Sequence, residues 1–102
     1  MAKLIVSTLP DRNSIAAFVA SAEGIPAVGL GLANFTVRST APGADGTLLK
    51  VARVNSTGLR GFYIVELAVA EAAARRKGLY VFDLIVEAGE DRGQVLSSAV
   101  IA

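Results

Sequence analysis

The sequence predicts an all-β chain folded as a two-sheet antiparallel sandwich of about seven short strands. Turn signals recur roughly every 8–15 residues, the spacing that short strands joined by tight connections produce. Several segments alternate apolar and polar residues with period two, as half-buried strands do. Two longer apolar runs, each opened by Gly-x-Tyr, dominate the stretch from Gly61 to Glu87. The remaining strands are shorter and are expected to pack around that pair.

Leu4 to Leu9 reads as the first strand, stopped by Pro10, Asp11, Arg12 and Asn13, residues that favour turns. Ser14 to Ser21 reads as the second, with Ile15 and Phe18 as expected core residues; their spacing of three would also suit a helix capped by Ser14. Residues 22–32 hold three glycines and Pro26, so no helix is expected there. Asn34 to Ser39 alternates strictly, with Phe35 and Val37 on one face and Thr36 and Arg38 on the other. Thr40 to Gly46 is a turn-rich connection, and Thr47 to Val54 is a strand whose apolar run is broken by Lys50 and Arg53.

After a polar loop, Asn55 to Gly61, the strand Phe62 to Val69 offers two faces. Tyr63, Val65, Leu67 and Val69 are the expected core face, because the other would bury Glu66. Ala70 to Lys77 is alanine-rich, places Glu71 four residues before Arg75, ends in three cations and is stopped by Gly78. It predicts about two turns of helix. Leu79 to Glu87 returns as a strand, with Tyr80, Phe82, Leu84 and Val86 sharing one face. A polar turn over Ala88 to Gly93 leads to a last strand, Gln94 to Ile101, expected to pair with it as a hairpin. The competing α+β architecture has one long helix over residues 64–77, but Phe62, Tyr63, Ile64 and Val65 are β-formers at its start.

The 102 residues suit one domain, 53% of them hydrophobic and 19% charged against a usual charged share of about 25%. That apolar surplus predicts contact surface, and with it a homo-oligomer or a subunit of a larger assembly. A net charge of +1 and six aromatics, most in strand-like runs, argue against nucleic acid. No run approaches the ~20 apolar residues that span a bilayer, and the first apolar run is too short for a secretory signal. A soluble product without export address or membrane insertion is therefore expected.

The chain contains neither histidine nor cysteine. That removes the commonest general base, thiolate metal sites, disulfides and every Ser-His-Asp or Cys-His mechanism. Asp11, Asp45, Glu90 and Asp91 lack the spacing of a calcium loop and read as solvated turn residues. Asp83 and Glu87 share a strand face, but strand rise separates them by about 13 Å, too far for a glycosidase pair. Arg75, Arg76 and Lys77, with Arg60 and Arg92, could form a small basic patch, although a helix end explains the first three. The glycines at 24, 29 and 31 build no phosphate loop, and the glycosylation patterns at Asn34 and Asn55 would need export to matter. No catalytic, cofactor-binding or metal-ligating residue is expected, and no enzyme.

Four segments carry a resemblance. Glu23 to Leu30 is similar to the G-x-P-V-x-G-L turn between early strands of immunoglobulin-like β-sandwich modules in bacterial and bacteriophage surface and virion proteins. Phe35 to Val37, Gly61 to Leu67 and Gly78 to Leu84 resemble further strands of such modules, the last with a tyrosine, Tyr80, after a short helical turn. The resemblance implies an immunoglobulin-like sandwich, with the Tyr80 hydroxyl bonding back to the preceding connection as a tyrosine corner. It also implies a non-enzymatic structural protein of a bacteriophage virion: a capsid decoration, head-fibre or tail/baseplate subunit made in the host cytoplasm. Its partners would be its own copies, through outward positions such as Val81 and Ile85, and other virion or surface proteins. The alternative is a cell-surface adhesion or carbohydrate-binding module acting through loops 40–46, 55–61 and 89–93.

Overall fold

The computed structural model describes residues 3–39, 49–69 and 78–101. Its strands are β1 (Leu4–Pro10), β2 (Ser14–Ser21), β3 (Phe35–Ser39), β4 (Leu49–Ser56), β5 (Phe62–Val69), β6 (Gly78–Ala88) and β7 (Asp91–Ile101). They pair antiparallel into a sheet ordered β1-β2-β5-β4 and a second ordered β3-β6-β7. This four-plus-three order is that of the constant-type immunoglobulin sandwich. Because β5 is a strand through Val69, the long helix over 64–77 does not form. The two-turn helix over 70–77, the turn Thr40–Gly46 and the first two residues of the strand expected from Thr47 lie outside the described residues. The helical geometry that is described is a single 3-10 turn at Leu32–Asn34, just ahead of β3.

Alternation puts the core where the sequence predicts. Tyr63, Val65 and Leu67 of β5 and Phe82, Leu84 and Val86 of β6 are buried, and the two sets face each other across the sandwich with Phe35 between them. The Phe35 and Tyr63 rings lie 5.6 Å apart at 60°, a tilted aromatic contact that spans the two sheets. Tyr80, on the same face of β6, is half-buried.

Phe18 departs from expectation. Ile15, Ala17 and Val19 are the buried residues of β2, whereas Phe18 stands on the outward face opposite Phe62. A separation of three puts two strand residues on opposite faces, so Ile15 and Phe18 cannot both point inward.

On β4, Lys50 and Arg53 both face outward, against Ala68 and Glu66, while Val51 and Val54 face inward, against Leu67 and Val65. A separation of three again forbids this in a regular strand. The register shifts between Val51 and Arg53, and the extra residue, Ala52, is a β-bulge that resets the alternation. The polar turn expected over 88–93 is also shorter than the residue types suggest. β6 and β7 pair through Ala88 and Asp91, which leaves only Gly89 and Glu90 as the loop. Gly89, with φ of +64°, occupies the first central position, as a type II′ hairpin requires.

One side of the sandwich is sealed by β1 and β7. Thr8 and Ser97 share a hydrogen bond of 2.7 Å between their hydroxyls, which satisfies Ser97, a buried polar residue. Beyond β1, the Val100 N–H donates to the Asp11 carbonyl and the Asn13 N–H donates to the Val100 carbonyl. The Asn13 carbonyl accepts the Leu67 N–H, so this turn is bonded to both sheets. Asn13 adopts φ of +58°, a left-handed conformation that asparagine tolerates better than most residues. At the other end of the seam Gly93 has no side chain for a reason of space. A Cβ there would lie 2.6 Å from the Leu4 carbonyl oxygen and 2.8 Å from Val6 Cγ2.

Gly93→Ala should therefore destabilise the fold by about 1–3 kcal/mol, read as a lowered urea midpoint. Gly58→Ala, where an added Cβ meets open space, should stay within about 0.5 kcal/mol of the parent.

Candidate interaction site

The connections alternate between the two ends of the sandwich, so β2–β3, β4–β5 and β6–β7 share one end. The β2–β3 connection begins with a turn held by Ser21. Its hydroxyl donates to the Glu23 carboxylate and accepts the Ile25 N–H at 3.2 Å. The chain then runs back beside β2, with the Ser21 N–H donating to the Ile25 carbonyl and the Ala27 N–H donating to the Val19 carbonyl. Pro26 lies against Gly61, where a Cβ would come within 2.8 Å of both Pro26 Cβ and the Val19 carbonyl oxygen. Gly61 also has φ of +75°, so both space and conformation call for glycine.

Tyr63 fixes the next part of this connection. Its ring is buried in the core, and its hydroxyl donates to the Ala27 carbonyl at 2.6 Å and accepts the Leu30 N–H at 3.3 Å. Asn34 completes the attachment: its side-chain oxygen accepts the Gly31 N–H, and its amide donates to the Glu87 carbonyl at 2.8 Å. The tyrosine seen to tie a connection is thus Tyr63 of β5. The bond expected from Tyr80 to the connection before β6 would fall on residues 70–77, outside the described residues.

Held this way, the connection exposes Ile25, Val28 and Leu32, and the β4–β5 turn beside it exposes Leu59. A hollow of about 180 Å³ between the two is lined by Val28, Thr57, Leu59, Arg60 and Phe62. Small-molecule pockets usually enclose about 300 Å³ or more. Two further concavities, of about 420 Å³ beside Glu87, Glu90 and Arg92 and about 410 Å³ beside Pro10, Asp11 and Val100, are shallow depressions at turns. The apolar end is therefore better shaped to meet a surface than to enclose a ligand.

Both outer sheet faces also carry apolar residues. On the three-stranded sheet Leu79, Val81, Leu96 and Val100 are exposed. Ile85, expected beside Val81 as an outward contact position, is only 4% exposed and offers little to a partner. It stands centrally, opposite Thr36 of β3 and Gln94 of β7, where neighbouring side chains on a sheet cover one another. On the four-stranded sheet Ile5 and Leu9 are exposed, and Phe18, Phe62 and Ile64 are half-buried.

The acidic and basic residues do not converge. Asp83 stands opposite Arg38 and Glu87 opposite Arg92, cross-strand neighbours of opposite sign on the outer face. Asp11 is at the opposite end of the sandwich from Glu90 and Asp91, and Asp45 lies outside the described residues. Among the described residues no group of three or more acidic side chains could hold a metal ion. Arg60 and Arg92 sit at the end of the connection 22–34, and Arg75, Arg76 and Lys77 lie outside the described residues. Glu66 accepts a 2.6 Å hydrogen bond from the Asn55 amide, so the side chains of Asn34 and Asn55 are both engaged within the fold. No described helix is long and apolar enough to cross a membrane.

Compared with known proteins, the chain matches no family model, no curated protein and no solved structure.

Tyr63→Phe should cost about 1–3 kcal/mol, because it removes two hydrogen bonds and leaves the Ala27 carbonyl and Leu30 N–H without their partner. Hydrogen exchange at the Leu30 amide should accelerate more than exchange at Val65, in the strand interior.

Proposed function

We propose that this chain is a non-enzymatic structural subunit that works through protein–protein contact, and that its place is a bacteriophage virion, as a capsid decoration, head-fibre or tail/baseplate component. The observation that carries the contact reading is the exposed apolar surface. Ten large hydrophobic side chains stand exposed among the described residues, and they fall on the loop end and both sheet faces. Strands hold the six on the sheet faces and hydrogen-bonded connections hold the four at the loop end, and many copies on a particle would convert weak contacts into avidity. The virion assignment rests on the resemblance of Glu23 to Leu30, Gly61 to Leu67 and Gly78 to Leu84 to modules of such particles. In this reading the chain is made in the host cytoplasm and its partners are its own copies and other virion proteins.

A second reading has its own observation. The apolar end formed by Ile25, Val28, Leu32 and Leu59, next to Arg60, suits an adhesion or carbohydrate-binding module of a cell surface that acts through its loops.

Mass spectrometry of purified virions from the phage that encodes the chain, with immunogold labelling, should find it in many copies on the particle; its absence from the particle would defeat the virion reading. Leu59→Asp, at a position 68% exposed, should leave stability within about 0.5 kcal/mol of the parent. It should abolish saturable glycan or cell-surface binding only if the loop reading holds. A flat glycan array with the parent chain would remove the sugar version of that reading.

A further inference from the structure

The outward face of an antiparallel sheet is ordinarily polar. On the four-stranded sheet it is not. The strand registers place Ser7, Phe18 and Phe62 side by side in one rung across β1, β2 and β5. The rung nearer the loop end holds Ile5 and Ala20, and the rung on the other side holds Leu9, Ala16, Ile64 and Asn55. Charge begins only beyond these, with Lys3 past Ile5 at the loop end and, on the other side, Glu66 beside Arg53 and then Lys50 beside Ala68.

We propose that this face is the contact with a second copy of the chain, packed sheet on sheet about a twofold axis that lies across the strands along the Ser7–Phe18–Phe62 rung. The proposal rests on the contact function above and names its partner and surface. Such an axis lays each strand over its own counterpart in the opposite direction. Phe18 and Phe62 then meet the same residues of the second copy and Ile5 meets its Leu9, while Ala20, only 4% exposed, lies beneath the contact. Exposed apolar residues of β1 and the two phenylalanines thus meet apolar residues across the axis, as an isologous contact demands.

The charges support the same axis. Rotation carries Glu66, Arg53 and Lys50 past the end of the facing sheet, toward the 57–61 turn of the second copy. They stay at a solvated rim, Arg60 on that turn comes to the side of Glu66, and no charge is buried without a partner. The outer face of the three-stranded sheet offers no equivalent. There Asp83 stands beside the exposed Leu96, and an axis through that apolar patch would bury it.

Size also fits. At the usual strand spacing and rise the face covers about 450 Å² of flat sheet, or roughly 900 Å² over two copies before side-chain relief is counted. That approaches the ~1,000 Å² of a specific interface and marks a reversible dimer, not an obligate one.

The absence of native cysteine allows a direct test. Facing sheets lie about 10 Å apart, too far for a disulfide but within reach of a short bismaleimide. Ser7→Cys, on the axis, should give a cross-linked dimer at about 100 μM protein that fades on dilution, as a reversible contact requires. Adding Leu9→Glu, at a site already 64% exposed, should cut the yield about tenfold, with far-UV circular dichroism unchanged. Ser98→Cys, on the outer face of the other sheet, should give none. Cross-linking through Ser98 and not Ser7 would overturn this face while leaving a contact function in place. No cross-link from either, with monomeric sedimentation at about 500 μM, would overturn self-contact altogether, and the virion measurement above would decide the contact function independently.

Discussion

A phenol ring in a sandwich core imposes a condition that an aliphatic side chain does not: its hydroxyl must reach polar partners without leaving the apolar interior. Tyr63 meets that condition at one place, where the Ala27 carbonyl and the Leu30 N–H approach the top of the core. Much of the loop end follows. The chain between β2 and β3 must pass over Tyr63, so it doubles back at Ser21, lays Pro26 against a side-chain-free Gly61 and turns through Gly29 at φ of +76°. What remains on the outside of this path is Ile25, Val28 and Leu32. The apolar ridge at this end is the outer surface of a segment whose inner surface is bonded to the core.

The opposite constraint operates along the side of the molecule. β1 belongs to one sheet and β7 to the other, yet their backbones come close enough that residue 93 has no space for a Cβ. Thr8 and Ser97 neutralise each other's polarity at this seam, and the backbone of Asn13 reaches both sheets. These contacts cover two strand edges that would otherwise present unpaired backbone groups. The fold therefore depends on a central tyrosine for its loop end and on a glycine for its side.

Much of this is legible in the sequence because alternation is a local property. The faces of β3, β5 and β6 follow from counting by two from Phe35, Tyr63 and Phe82. What counting by two does not show is where the count is interrupted or what the hydroxyl of a core tyrosine reaches. Lys50 and Arg53 reach one face only because Ala52 is bulged, and no residue type announces that bulge. Phe18 is read as core because phenylalanine usually is, although its parity with Ile15 already places it outside. Ile85 is correctly placed on the outer face by parity, yet it is covered by neighbours that only register brings alongside. Tyr63 follows the same Gly-x-Tyr pattern as Tyr80, and nothing local in that pattern points to the carbonyl, 36 residues distant in sequence, to which its hydroxyl donates. The apolar outer face of the four-stranded sheet is harder still to read, since it is assembled from scattered residues on β1, β2 and β5 whose alignment depends on two pairings.

The bulge at Ala52 also limits how such molecules could gather. It kinks β4, the outermost strand of its sheet, and sets Lys50 and Arg53 along a margin where another strand would have to hydrogen-bond. Lateral growth, one sheet continuing into the next, is discouraged by both shape and charge. If copies associate through the outer face of the four-stranded sheet, that isologous contact closes at two.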